Sequence, residues 1–271
     1  DESSASSYIA NKFNTNHNIV NFENEFTSDV VDKIYNSLDI PLGDSSYLPT
    51  FLLCQKASKS HKCILSGDGG DELFGGYSTY RAHKILRNYE LLFPQKVRGY
   101  ILANILKLVP LSQENINLHM KITRFLAGRG LPLVKRHLTW MSTSNDENVI
   151  NQLLRNNYCN DNDMILEIEE AVSQSGIKRA INAAQYIDLN NYLPGSINAK
   201  IDNASMSNGI EVRSPYLNKR LLKASTAIPM EYRVGILQTK KFLRKIAGDI
   251  FNQELVNLPK RGFNFPVNKL I

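Results

Sequence analysis

Residues 64–77 read ILSGDGGDELFGGY. A short apolar run stops abruptly, and glycines then crowd around three carboxylates, Asp68, Asp71 and Glu72, ahead of Tyr77. An apolar run of this length bounded by turn residues reads as a strand. Glycine lets the backbone take positive φ and approach a ligand closely. The stretch therefore demands a strand, a tight turn and a helix start in immediate succession, and the segments before it supply a matching frame. Residues 4–13 read as a helix, and Ile19 to Phe22 as a short strand core. Thr27 or Ser28 can cap a helix running to Leu38, with Val30, Val31, Ile34, Tyr35 and Leu38 on one face. A further helix follows Asp44 or Ser45 as its cap, and KCILS (residues 62–66) reads as a buried strand. Helix and strand alternating over the first ~80 residues is the pattern of a parallel α/β sheet.

Beyond Tyr77 the texture changes. Helical patterns dominate residues 79–184, with breaks at Pro94, at Pro110 and at GRGLP (residues 128–132). From residue 188 the chain turns polar and irregular, then helical again over 221–227 and 240–250, and it ends in a loop punctuated by proline and glycine. We divide it into an α/β part over 1–80 and a mainly helical part over 81–271.

Composition limits what such a chain can do. At 271 residues there is room for one large domain or two small ones. With 42% hydrophobic and 21% charged residues, the chain can bury a core and is not of the disordered class. No apolar run approaches the ~18 residues of a membrane span, and no secretory pattern opens the sequence. Cys54, Cys63 and Cys159 are too few and too scattered for a disulfide framework, and their spacing does not suggest zinc. Cys54 and Cys63 lie in apolar stretches and are expected in the core; a reducing, cytoplasmic setting follows. The net charge of +6 suits nucleic acid or a small anionic substrate. The densest basic cluster, residues 121–137, carries no nucleic-acid-reading signature. Neither a nucleic-acid nor a membrane partner is expected.

The turn itself suggests chemistry. Ligands of an open parallel sheet bind outside the carboxyl ends of its strands. Backbone N–H groups in a glycine-rich turn that enters a helix suit anions and nucleotides. Carboxylates there would repel a phosphate unless a cation lies between, so Asp68, Asp71 and Glu72 suggest Mg2+. The plainer alternative is a strand–turn–helix corner with Gly75 and Gly76 as the helix C-cap.

LSGDGGDELFGGY resembles the "SGxGxDExFGGY" signature of the asparagine synthetase family, and four further stretches resemble its motifs in order. DIPLGDSSYLPTFLL is similar to "DEPxxDSSxxPTxLL", and YLPGSINAKIDNASMSNGIEVRSPYLNKRLL to "YLPxxxLxKxDRxSMxxxxExRxPFLDxxL". TKKFLRKI is similar to "GKxxLRxA", and LPKRGFNFP to "RPKxGFxxP". The departures are Ile40 for a glutamate, Asn203 for a basic residue, Tyr216 for phenylalanine, Asn218 for aspartate, and Asp68 where synthetases acting on aspartate often carry glutamate. The resemblance implies an α/β fold of the adenine-nucleotide α-hydrolase (ATP pyrophosphatase) type, with a partial parallel sheet and a large helical portion. It implies an enzyme that uses ATP and Mg2+ to adenylate a carboxylate, first of all aspartate, and amidates it with ammonia from glutamine, releasing AMP and pyrophosphate. Relatives of this architecture also make β-lactams or amidate sugars of surface polysaccharides. A tRNA-modifying pyrophosphatase and a non-catalytic family member are two further readings of the same residues.

Carried over residue by residue, the resemblance implies that Ser66 and Gly67 meet the adenosine through backbone groups and that Asp71 ligates Mg2+. It places Asp68 and Tyr77 beside the acceptor carboxylate and the adenylate, and Lys240 as the catalytic lysine at the entry to a helix. The family's "SGGxDS" pyrophosphate loop and glutaminase domain are expected upstream of residue 1, so this chain is expected to be inactive by itself and to expose apolar surface. A homodimer is left open.

Overall fold

The computed structural model describes residues 3–20, 27–40, 42–92, 118–142 and 161–258. Along the chain run α1 (Ser3–Phe13), α2 (Ser28–Asn36), α3 (Tyr47–Ala57), β1 (Cys63–Leu65), α4 (Gly70–Phe74) and α5 (Ser78–Leu92). Then come α6 (Leu118–Ala127), α7 (Leu133–Met141), α8 (Asp161–Gln174), α9 (Ala180–Ile187), a π-helical segment (Asp188–Asn198) and α10 (Ala199–Met206). β2 (Glu211–Arg213), a 3-10 turn (Pro215–Leu217), α11 (Lys219–Ala227), α12 (Met230–Arg233), α13 (Lys241–Gly248) and α14 (Gln253–Val256) follow. The fold is thus a mostly helical α/β one with a small parallel two-stranded sheet. Two compact units form: Asp1–Asp68 with Ser196–Pro215 and Phe242–Ile271, and Gly69–Gly195 with Tyr216–Lys241. Among the described residues no helix is long and apolar enough to cross a membrane.

In the first unit β1 and β2 run parallel, Cys63 opposite Glu211, Ile64 opposite Val212 and Leu65 opposite Arg213. α3 packs on α10 and α10 on β2. The core is Ile34, Tyr47, Phe51, Cys54, Ala204 and Ile210, with Val30, Leu38, Ile64 and Val212 packed against it. On α2 the buried stripe is Val30, Ile34 and Leu38, spaced by four; Val31 and Tyr35, expected on the same face, are exposed. One hundred degrees of helical rotation per residue carries them off so narrow a stripe.

The start of α3 is tied to α10 by charge. Lys200 Nζ donates to Asp44 Oδ2 (3.1 Å) and to Ser46 Oγ (2.8 Å), while Ser46 N–H donates to Asp44 Oδ1 (2.9 Å). Burial alone would raise the Asp44 pKa, but the Ser46 hydrogen bonds and the Lys200 charge outweigh it and hold the carboxyl below its ordinary value. Asp44 and Ser45 do not cap the helix directly: α3 starts at Tyr47, with Ser46 in the N-cap position.

Three expectations are corrected. The strand expected to be buried has a half-buried Ile64 flanked by exposed Cys63 and Leu65, the latter 72% accessible. Successive strand side chains point to opposite faces, and a fully apolar strand is buried only where both faces are covered. Cys54 is a core residue, its thiol pKa pushed up by burial to about 11, whereas Cys63 is not; Cys159 lies outside the described residues. Ile19 and Val20, expected in a strand, are in irregular backbone, and residues 21 and 22 lie outside the described residues.

The polar stretch from residue 188 is helical, not irregular. Its asparagines fold back on carbonyls four residues earlier: Asn190 to Tyr186 (2.8 Å), Asn191 to Ile187 (3.1 Å) and Asn203 to Ala199 (2.9 Å). Side chains that could compete with the backbone instead bond to it within the helix. Pro194 falls inside the π-helical segment, where winding departs from the α-helical bonding that proline cannot continue.

In the second unit α5, α7, α8 and α9 pack on one another, α6 on α7, and α4 on α11. One core cluster joins Tyr80, Ala184, Met230 and Val234; another joins Val134, Ile168 and Ile187. The break at 128–132 separates α6 from α7 as expected, while Pro94 and Pro110 lie outside the described residues. Within the basic cluster, Arg136 sets its guanidinium 5.8 Å from the Trp140 ring centroid, half-buried rather than presented to solvent.

Candidate active site

The glycine-rich turn leads into the five-residue helix α4. Gly69 and Gly75, at φ 84° and 70°, bracket it in left-handed conformations that favour glycine. Gly76 N–H donates to the Asp71 carbonyl (2.8 Å), so the C-cap suggested by the sequence is present. Gly76 has a second use. A Cβ built there would stand 1.7 Å from Asp71 Oδ1 and 2.4 Å from Lys240 Cε. Only a residue without a side chain leaves room for both to lie against this backbone.

Those two side chains meet. Lys240 Nζ lies 2.8 Å from Asp71 Oδ1, both side chains about one-quarter exposed. Lys240 sits one residue ahead of α13, not in its first turn as expected, and its backbone is left-handed (φ 53°). That conformation costs a non-glycine residue roughly 1–2 kcal/mol. A cation at a helix N-terminus is opposed by a further ~0.3–1 kcal/mol. The Asp71 carboxylate offsets part of this by direct charge pairing.

Glu72, next along the helix, is 1% exposed. Burial raises its pKa, with the Asp71 and Asp188 charges adding to the effect; the hydrogen bond donated by the Tyr77 hydroxyl to Oε1 opposes it. Burial and the Glu72 charge hold the Tyr77 pKa far above its ordinary value, so this phenol keeps its proton and donates. The Tyr77 ring stands 5.9 Å from Tyr80 and 5.8 Å from Tyr192, edge-on to the latter. Buried Gln185 donates Nε2 to the Glu72 carbonyl (2.8 Å), and buried Arg233 donates Nη1 to the Leu73 carbonyl (2.8 Å). Reading the sequence alone misses these two supports. The run AINAAQYI carries two amides, Asn182 and Gln185, in an apolar setting, a signal that points to a buried amide without choosing between them; Arg233 has none.

The other expected residues belong to the first unit. Ser66 N–H donates to the Arg213 carbonyl (2.9 Å), extending the β1–β2 pairing, and Ser66 Oγ shares a hydrogen bond with Ser214 Oγ (2.8 Å). Gly67 is exposed, with open space where a Cβ would stand, and Asp68 is half-buried. The structure therefore brings together Asp71 and Lys240, with Glu72 and Tyr77 alongside.

As a metal holder the set is spare. Among the described residues no three His, Cys, Asp or Glu side chains are grouped for a metal ion. Glu72 is buried and engaged by Tyr77, leaving the Asp71 carboxylate as the accessible oxygen donor of this helix. Mg2+ typically takes one or two carboxylates and fills its shell with water and substrate phosphate. Asp71 fits a Mg2+ that arrives with a phosphate, and not one caged by protein.

The asparagine synthase family model matches residues 1–270. The chain belongs to the asparagine synthase family. It is 29% identical over 243 residues to "Asparagine synthetase (glutamine-hydrolyzing) 1" of Bacillus subtilis strain 168, an alignment covering 87% of this chain and 35% of that protein. It is 27% identical over 233 residues to a protein of Mycobacterium tuberculosis H37Rv provisionally named as a glutamine-hydrolyzing asparagine synthetase, covering 85% and 34% respectively. "Amidase chyE" of Penicillium rubens is 24% identical over 297 residues, covering 98% of this chain and 41% of that protein. The chain spans about a third of the length of the asparagine synthetases it matches. There is no significant match among solved structures.

The departures from the asparagine synthase motifs can now be placed. Asn218 accepts from Arg220 N–H (2.9 Å) and N-caps α11, a role aspartate fills equally well. Tyr216 lies edge-on to Phe74 at 5.9 Å. Asn203, besides its bond to the Ala199 carbonyl, accepts from Asp39 N–H (3.3 Å), 164 residues away in the sequence, and Ile40 is exposed.

Proposed function

We propose that the complete protein is an ATP-dependent ligase that joins ammonia from glutamine to an adenylated carboxylate, aspartate first among them, with loss of AMP and pyrophosphate. The observation that carries this reading is the Asp71–Lys240 pair: residues from two separate family motifs, 2.8 Å apart, against a glycine that has no room for a side chain. In this reading the two-stranded sheet is part of the ATP-pyrophosphatase type, and the protein works in the reducing cytoplasm, as a homodimer, on small molecules rather than nucleic acid or membrane.

Lys240 offers an ammonium that neutralises charge developing on the departing pyrophosphate or on the oxyanion formed when the amine attacks. Asp71 holds that ammonium in place and can lend an oxygen to Mg2+, which when bound would screen the phosphates. Ser66, its N–H engaged in the sheet, meets the adenosine through its carbonyl, and Gly67 through either backbone group. Asp68 orients the attacking amine. Tyr77, its hydroxyl committed to Glu72, presents its ring to the acceptor side. A second acceptor class, precursors of amidated sugars or β-lactams, is favoured only by Asp68 in place of the glutamate often found where aspartate is the substrate.

The test compares Lys240→Ala with Lys241→Ala in the complete protein, by aspartate-dependent pyrophosphate release. The first should lose at least ~10²-fold in rate, as when one transition-state donor is removed; the second, an exposed neighbour, should be nearly silent. Equal small effects, or the reverse order, would remove Lys240 from the mechanism. Turnover with sugar acids and none with aspartate would move the protein to the second class.

A further inference from the structure

Behind Tyr77 lies a polar network that the proposed chemistry does not use. Tyr80 and His83 stand on α5, His137 on α7, and Asp188 opens the π-helical segment. Their exposures are 0%, 2%, 0% and 1%. Tyr80 Oη donates to Asp188 Oδ2 (2.5 Å), His137 Nε2 lies 2.9 Å from Asp188 Oδ1, and His137 Nδ1 lies 3.2 Å from His83 Nε2.

The proton positions follow from elimination. A carboxylate oxygen accepts, so His137 Nε2 carries hydrogen. The two facing ring nitrogens need a single proton between them. His83 Nδ1 is buried without a hydrogen-bond partner. Buried N–H groups without a partner are rarer than unfilled acceptor lone pairs, so the His83 proton is placed on Nε2, pointing at His137. Burial first, then the neighbouring His137 and Arg136, push the His83 pKa down to about 2, in keeping with a ring that stays neutral. Donation thus runs from His83 to His137 to Asp188, with Tyr80 donating from the other side.

The network meets Tyr77 directly through Tyr80, and indirectly through the π-helical segment that Asp188 opens. The Tyr80 ring is 5.9 Å from that of Tyr77, and Tyr192, about one π-helical turn beyond Asp188, meets it edge-on at 5.8 Å. We propose that His83, His137, Asp188 and Tyr80 form a positioning network that fixes α5 and the π-helical segment about Tyr77, and so keeps the Tyr77–Glu72 hydrogen bond beside Asp71. The kinetic consequence rests on the function proposed above; the structural consequence does not.

The experiment places 3-fluorotyrosine at position 77 of the complete protein and reads its 19F resonance together with aspartate-dependent pyrophosphate release. His83→Leu removes the donor and keeps most of the bulk; His83→Gln restores an N–H. The leucine variant should move the resonance in the same direction as Glu72→Gln does and lower kcat by roughly 10–10²-fold, the size of a small misplacement. The glutamine variant should recover most of both. If the wild type turns over no carboxylate but the resonance still responds this way, the network stands and the proposed function falls. An unmoved resonance in folded His83→Leu would overturn the network, as would a glutamine variant indistinguishable from leucine, since packing alone would then explain both. Should His83→Leu fail to fold, Asp188→Asn, which keeps shape and loses one acceptor, must move the resonance likewise or the proposal is wrong.

Discussion

Gly76 shows how a residue without a side chain can define a site. Alanine there fits the backbone, because Gly76 is not among the positive-φ glycines, but its methyl would occupy the space of Asp71 Oδ1 and Lys240 Cε. Gly76→Ala should therefore separate the ion pair, cutting turnover of the complete protein by about 10²-fold, while overpacking costs only ~1–3 kcal/mol of stability. Steady-state rates and a urea titration on the same preparation check this; near-normal turnover would show that the pair is dispensable. The sequence marked Asp71 and Lys240 separately, through two motifs, but nothing in their spacing said that they touch. It offered Asp71 and Glu72 as equivalent carboxylates. A helix turns ~100° between neighbours, which sends one toward Lys240 and the other into the core under the Tyr77 hydroxyl.

Helices were legible where a cap or an apolar face marked them, as in α2 and α3, and the strand–turn–helix at residues 63–74 followed from glycine placement. Two things were not legible. Asparagines over 190–203 read as loop formers until their amides are seen bonding to carbonyls a turn behind. And β1 pairs with a strand whose three residues, Glu211–Arg213, carry no run that would announce it. The Asp44–Lys200 link joins α3 to α10 and gives their packing a pH dependence. The Asp44 pKa is depressed on folding, so the link contributes fully above the ordinary carboxylate value of 3.8 and is lost as pH falls through the depressed one. Asp44→Asn should cost about 1.5–3 kcal/mol at pH 7, the range for a hydrogen bond to a charged group. The gap to wild type should narrow as pH drops below about 4. Urea midpoints at pH 7 and pH 3 measure it, and a gap that does not change with pH would assign the effect to packing.

The chain carries large apolar side chains in the open: Leu237 at 89% accessible, and Leu65, Leu91 and Leu92 each above 70%. It also spans about a third of the synthetases it matches. Taken alone, these 271 residues should show concentration-dependent self-association in sedimentation velocity and no aspartate-dependent pyrophosphate release near the complete protein's rate. A monodisperse monomer would argue against the first expectation, and full turnover against the second. The pairing of β1 with β2 has a consequence in time. Ser66 and Ser214, which meet just past the paired strands, are 148 residues apart. A ribosome adding ~5–20 residues per second therefore releases the first strand roughly 7–30 s before its mate exists. Through that interval Cys63, Ile64 and Leu65 are without β2, their one partner strand among the described residues, while the helices of α5 to α9 are already emerging. Nascent α5–α9 can collapse by local contacts, whereas β1 must wait for β2, which leaves its backbone groups open to pairing with another chain in the meantime.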